Sequence, residues 1–235
     1  MTRHLKKIVV VLMALALVVI AASFIYAKVI NKADDEFDSS DVKDRLTTTT
    51  AASSDGVPTD ADGVDGAWII GEGSEVGYRI DESINGFDTT ANGRTTGITG
   101  QFTIAGTAVT TGDFSVDMAT FSSDEGRRDN AFDGRIMEVS TFPTATFVLT
   151  EPIDFDGVPA DGTTITATAV GDLTLHGVTK SVTFLVEATF QSGRVGVLGQ
   201  IPIVFADYDI SDPSFASVRT EDNGLLEFVL IFDRA

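Results

Sequence analysis

The chain has 235 residues, no Cys and a formal net charge of −19. Without Cys there is no disulfide framework, no thiolate metal site and no Cys nucleophile. A chain this acidic repels phosphate backbones, so nucleic acid is not expected as a partner.

The charge is unevenly spread. Residues 1–32 carry five bases and no acid, residues 33–65 ten acids and two bases, and residues 66–235 25 acids and nine bases. Residues 1–7 read as a basic leader. The run from Ile8 to Ala27 has 20 residues and no charge, so a helix rising ~1.5 Å per residue covers the ~30 Å of a bilayer core. A secretory signal has a shorter apolar core of about 7–15 residues and a small-residue cleavage site. The length therefore predicts an uncleaved transmembrane anchor over 8–30, in preference to a cleaved signal segment. Tyr26 falls where aromatic side chains meet a membrane surface, and the bases before the span predict a cytoplasmic N-terminus. The rest of the chain is then extracytoplasmic, and the protein a single-pass cell-membrane protein.

Residues 31–65 are rich in Thr, Ser, Asp and Ala. Such a segment buries little apolar surface, which predicts a flexible acidic linker reaching about 30 Å.

From Gly66 onward apolar residues alternate with polar ones. Val76, Tyr78 and Ile80 share one face, as do Phe114, Val116 and Met118, and Ala145, Phe147 and Leu149. Later runs place Ala169, Leu173 and Leu175 together, then Val182, Phe184 and Val186, and finally Leu226, Phe228, Leu230 and Phe232 with Glu227 pointing away. Period-two alternation rich in Thr, Val, Ile and Phe marks half-buried antiparallel strands. Seven or eight long strands predict an all-β domain over 66–235, a sandwich or a closed barrel, and the strand length favours a coiled barrel. Gly100 and Gly171 fall on inward faces, where they leave room or permit a bend. Residues 122–143 break the alternation. They predict a short helical connection around 124–139, capped by Asp124, that packs across one end of the barrel.

The chemistry available is sparse. His176 is the domain's single His. Asp172 shares its strand face but lies ~13 Å away, and no G-x-S-x-G elbow occurs, so no catalytic residue is assigned and the domain is not expected to be an enzyme. His176 reads instead as a hairpin residue, with Gly177 supplying the unusual backbone angle. No His pair or thiolate indicates a metal or cofactor. Arg127 and Arg128 have two readings, an ion pair with Asp124 or Asp129, or a contact to a ligand head group. The apolar face fits either a filled core, the usual case, or a cavity for an elongated ligand.

Four segments carry a resemblance. "GDLTLHGVTKSVTF" (171–184) resembles the signature hairpin of the YceI-like lipid- and polyisoprenoid-binding family. "GAWIIGEGSEVGYRI" (66–80), "RRDNAFDGRIMEVSTFPTATF" (127–147) and "FADYDI" (205–210) resemble further blocks of that family in order and spacing. Ala131 stands where the family often has His, and Ser181 where it has Pro. The resemblance implies a lipocalin-like antiparallel barrel of about eight strands with a lengthwise apolar cavity. It also implies an isoprenoid ligand, a quinone or polyprenyl chain, as the partner to be sequestered or carried. On that reading the ligand-binding residues are Phe102, Phe114, Phe147 and Leu173, with Phe184, Phe228 and Leu230. The competing expectations are a cell-envelope interaction domain with a filled barrel and an accessory to isoprenoid-quinone redox chemistry.

Overall fold

The computed structural model describes residues 3–26, 33–48, 64–155, 157 and 159–235. Twelve strands run in chain order: β1 (Gly66–Ile70), β2 (Glu75–Ile84), β3 (Phe87–Thr95), β4 (Ile98–Ala105), β5 (Ala108–Asp117), β6 (Thr144–Leu149), β7 (Ile153–Asp154), β8 (Thr164–Leu175), β9 (Val178–Gln191), β10 (Arg194–Val204), β11 (Val218–Thr220) and β12 (Asn223–Arg234). Neighbours β1-β4-β5-β6-β8-β9-β10-β12 form a ring that closes when β12 pairs back to β1. This is an eight-stranded antiparallel barrel. Closure removes the unpaired edges that an open sheet would expose.

β12 has two partners on its second side. Its end, Phe232 to Arg234, pairs with β1, and its beginning, Leu225 to Val229, pairs with β2. β3 then pairs with β2 along nine residues. The β2–β3 hairpin thus completes the wall at the end of the barrel where β12 begins.

The β8–β9 connection is the two-residue turn His176-Gly177, with Leu175 opposite Val178. Both turn residues have positive φ, 50° for His176 and 76° for Gly177. A two-residue hairpin of the primed type needs that at both central positions, because only then does the turn's twist match the strands. The expectation for Gly177 therefore extends to His176 as well.

The break in alternation at 122–143 is helical. Helix α3 (Gly126–Ala131) runs into a π-type turn at Phe132–Ile136, closed by Met137 N–H donating to the Phe132 carbonyl over 2.8 Å. Glu125, not Asp124, is the cap: its carboxylate accepts from the Arg127 N–H. Asp124 is turned instead toward the Arg128 guanidinium.

Helix α1 (Arg3–Ile25) is long and apolar enough, over Lys6–Ile25, to cross a membrane.

The segment read as a linker differs from expectation. Residues 31–32 and 49–63 of it lie outside the described residues, as do residues 27–30 of the span read as an anchor. Between them, helix α2 (Ser39–Thr48) packs on the outside of the barrel, with Val42 and Leu46 about 2% and 1% exposed. Val42 and Leu46 are one helical turn apart and form a two-residue apolar stripe. They rest on β10 and β12, over Gly196 and against Val229 and Ile231. Few apolar residues suffice because three of them, Phe37, Val42 and Leu46, find a prepared apolar seat. The wall beneath shows the cause. β12 is buried on both faces, and a strand covered on both sides reads as a nearly unbroken apolar run, here "LLEFVLIF".

Candidate ligand cavity

The barrel interior is not filled. A deep chamber of about 200 Å³ occupies the lumen. Phe102, Phe114, Phe147 and Leu173 line it together with Phe184, Phe228 and Leu230. All seven residues proposed from alternation thus face one space, drawn from β4, β5, β6, β8, β9 and β12. Alternation succeeds because successive side chains of a strand must point to opposite faces, whatever the register.

What keeps space open is a set of glycine and aromatic pairs between neighbouring strands. Gly199 is directly opposite Phe228, Gly100 opposite Phe114, and Gly93 opposite Tyr78. In each pair the ring occupies the place where a Cβ on the glycine would stand. A Cβ on Gly199 would lie 2.2 Å from Phe228 Cζ, and one on Gly93 2.6 Å from Tyr78 Cε1. Gly171 receives the Phe147 ring in the same way, 2.3 Å from Cζ to such a Cβ. The rings lie along the wall instead of across the lumen. The room expected at Gly100 and Gly171 is therefore taken by rings, and the free volume appears on the other side of those rings. Phe147, Phe184 and Phe228 continue as edge-to-face contacts at 5.5 and 6.1 Å.

A second chamber of about 590 Å³ lies at the end crossed by α3. It shares Val76, Val116, Ala145 and Leu226 with the deep chamber, and these four side chains stand between the two. Tyr78, Phe121 and Phe132 stack at the mouth side, with Tyr78 and Phe132 centroids 5.1 Å apart and nearly parallel. Burial pushes the Tyr78 phenol well above its ordinary range. The Arg128 charge opposes that rise and the carboxylates of Asp129, Glu82 and Asp124 reinforce it, so the phenol stays protonated. Arg79, Arg127, Arg128 and Arg135 are also at this chamber's wall. Sequence reasoning missed this mouth, because its side chains come from the two irregular connections as well as from strands.

The arginine pair divides its work. Arg128 bonds Asp124 and lies 3.8 Å from Glu82. Asp129 accepts from the Ser123 N–H and hydroxyl, at 2.9 and 2.6 Å. Arg127 is exposed at the mouth. Ala131, the position where the family often has His, also lines the mouth. Ser181, where the family has Pro, lies within β9 opposite Asp172.

His176 has a turn residue's surroundings. It is about 8% exposed, its Nδ1 is 3.1 Å from the Tyr208 carbonyl, and its ring packs on Phe142 at 4.5 Å. The Glu138 carboxylate is 3.9 Å from Nε2. It lies outside both chambers. Among the described residues, no group of three or more His, Cys, Asp or Glu side chains is placed to hold a metal ion.

A closed eight-stranded barrel with an apolar, partly empty lumen defines a lipocalin-like binding barrel. Residues 69–232 match the model of the YceI-like domain, and the chain belongs to that family. Two solved structures share the fold. A polyisoprenoid binding domain from Saccharophagus degradans, implicated in plant cell wall breakdown, superposes with a TM-score of 0.58 at 17% identity, covering 73% of this chain and 99% of that one. BcnA of Burkholderia cenocepacia superposes with a TM-score of 0.53 at 20% identity, covering 67% and 95%. No curated protein sequence matches the chain.

Proposed function

We propose that the barrel takes up the chain of an isoprenoid lipid, a quinone or polyprenyl chain, and sequesters or carries it without chemistry. Helix α1 anchors the protein to the cell membrane, with the barrel on the extracytoplasmic side. The observation that carries this reading is the deep chamber, whose lining side chains are apolar apart from Thr146. Such a space offers a chain nothing but burial, and burial contributes ~0.8 kcal/mol per CH₂. With the mouth chamber added, the volume falls in the range of about 300–1,000 Å³ typical of ligand pockets. The relative from Saccharophagus degradans, described as a polyisoprenoid binding domain, supports the same ligand class.

Organic extraction of the purified full chain, followed by mass spectrometry, tests the reading. A prenyl lipid that co-purifies, or is taken up when added, is the expected result. An empty protein that takes up no added prenyl chain overturns it. Ala169 is buried in the chamber wall, so Ala169→Phe fills the space while keeping it apolar. That variant should lose at least tenfold in uptake, whereas Arg128→Gln should change it little.

A further inference from the structure

Helix α1 meets the barrel at its last turn. The Asn85 side-chain amide donates to Ser23 Oγ over 3.0 Å, the Phe24 ring lies edge-on to Phe87 at 5.6 Å, and the Tyr26 hydroxyl donates to Glu125 over 3.2 Å. Asn85 and Phe87 form the tip of the β2–β3 hairpin, and Glu125 caps α3. Tyr26 itself lines the mouth chamber. The apolar side chains of α1 from Ile8 to Leu17 are exposed. The end of the helix thus marks the mouth.

Chain connectivity supplies a second constraint. Asp34 is already fixed on the wall: Arg79 Nη1 donates to its carbonyl over 2.7 Å, and its carboxylate accepts from Asn92 at 3.2 Å. Only eight residue steps separate Tyr26 from Asp34. Fully extended they span at most about 29 Å. The docked strap replaces the long linker expected from composition, so the barrel cannot drift far from the point where α1 ends.

The surface chemistry at this end is the third observation. Phe215 is 71% exposed, more than any other large apolar side chain among the described residues of the barrel domain. Arg135 holds its loop by donating to the carbonyls of Asp212 and Pro213, and lies over the Phe215 ring. Arg127, Arg128 and Arg135 line the mouth chamber together with Glu82 and Glu125, whereas the Arg79 guanidinium turns to the Asp34 carbonyl and Glu227. The domain as a whole has 25 acids and nine bases. An exposed guanidinium, here that of Arg127, and an exposed aromatic ring are what a phospholipid surface accepts.

We propose that the barrel mouth rests on the bilayer from which α1 emerges. Phe215 enters the interface and Arg127 faces the phosphate head groups. A lipid chain then passes between leaflet and cavity past Val76, Val116, Ala145 and Leu226, without exposing its length to water. The proposal rests on α1 as a membrane span and on the barrel as a lipid-chain receptor.

The lack of Cys permits a direct test. Single variants Phe215→Cys at the mouth and Thr107→Cys at the far β4–β5 turn carry a fluorescent label in the full chain. The chain is reconstituted without other proteins into nanodiscs of zwitterionic and anionic phospholipid. Brominated lipid should quench the label at 215 at least twofold and leave that at 107 unchanged. Equal quenching at both positions overturns the proposal. An unquenched label at 215 also overturns it, and is the outcome for a mouth that faces a protein partner. Prenyl-lipid uptake is measured on the same samples by extraction. Uptake with no quenching at 215 removes the docking and leaves the receptor. Quenching without uptake supports the docking and removes the receptor.

Discussion

Arg94 and Glu227 meet across a glycine. Arg94 Nη2 lies 3.4 Å from Glu227 Oε1, although β2 runs between their strands. Gly77 is the β2 residue opposite both, and a Cβ there would come within 3.2 Å of each side chain. Arg79 joins at 3.7 Å, and the Phe37 N–H donates to Glu227 Oε2 over 3.1 Å. A carboxylate that alternation directs outward is thereby fully buried beneath the N-terminal strap, with the Arg94 guanidinium laid over the Phe37 ring at 3.9 Å.

Removing this carboxylate leaves two guanidinium groups and a backbone N–H without their shared acceptor. Glu227→Ala should cost about 2–4 kcal/mol, below the most severe cases because both arginines retain some solvent contact. The denaturant midpoint reports it. Glu227→Gln, which keeps an acceptor, should lose less.

Leu46 is the buried end of the α2 stripe and lies against the barrel near Gly196. Leu46→Ala should cost about 2–4 kcal/mol, within the usual range for a large-to-small change at a buried site. Leu46→Asp should release α2. Limited proteolysis between 33 and 48 would then become rapid, while the barrel strands keep their hydrogen-exchange protection.

Gly199 holds the Phe228 ring against the wall. Gly199→Val forces that ring into the lumen and should destabilise by about 1–3 kcal/mol through overpacking. It should also reduce prenyl uptake several-fold, measured by extraction. Gly134, with open space around its Cβ position and no left-handed φ, offers a control for the loss of a glycine.

The Glu125 carboxyl is held below its ordinary value of 4.5, first by the Arg127 N–H bond and then by the Tyr26 hydroxyl. A depressed folded-state value means that the contribution is fully present above the ordinary Glu range and is lost as pH falls through the lowered value. The Tyr26 contact should therefore persist at neutral pH and release only below about pH 4.5. A carboxyl-carbon NMR titration of Glu125 should give a midpoint under 4.5, and Tyr26→Phe should move it upward.

The inward-facing residues of the deep chamber were legible because alternation survives ignorance of register. Knowing which residues of β4, β5, β6, β8, β9 and β12 face inward needs only their parity along each strand. The hairpin at His176 was legible for a related reason, since the turn's backbone demands are local. The strap was not. Phe37 and Glu227 are 190 residues apart, and nothing in the polar composition of 31–65 says that three apolar side chains have a seat. A signal was available in Val229 and Ile231, apolar on the face that should meet water, but it tells only that a cover exists.

The sequence alone determined β2, β4, β5, β6, β8, β9 and β12 with their inward faces, the helical break at 122–143 and the apolar length of α1, because each follows from a pattern within a short window. Only the tertiary structure decided whether the lumen is full or open, since that depends on glycines of one strand meeting rings of the next. It also decided where the N-terminal segment docks and which end of the barrel α1 approaches. Those outcomes are set by contacts between residues far apart in the chain, whose pairing no local pattern specifies.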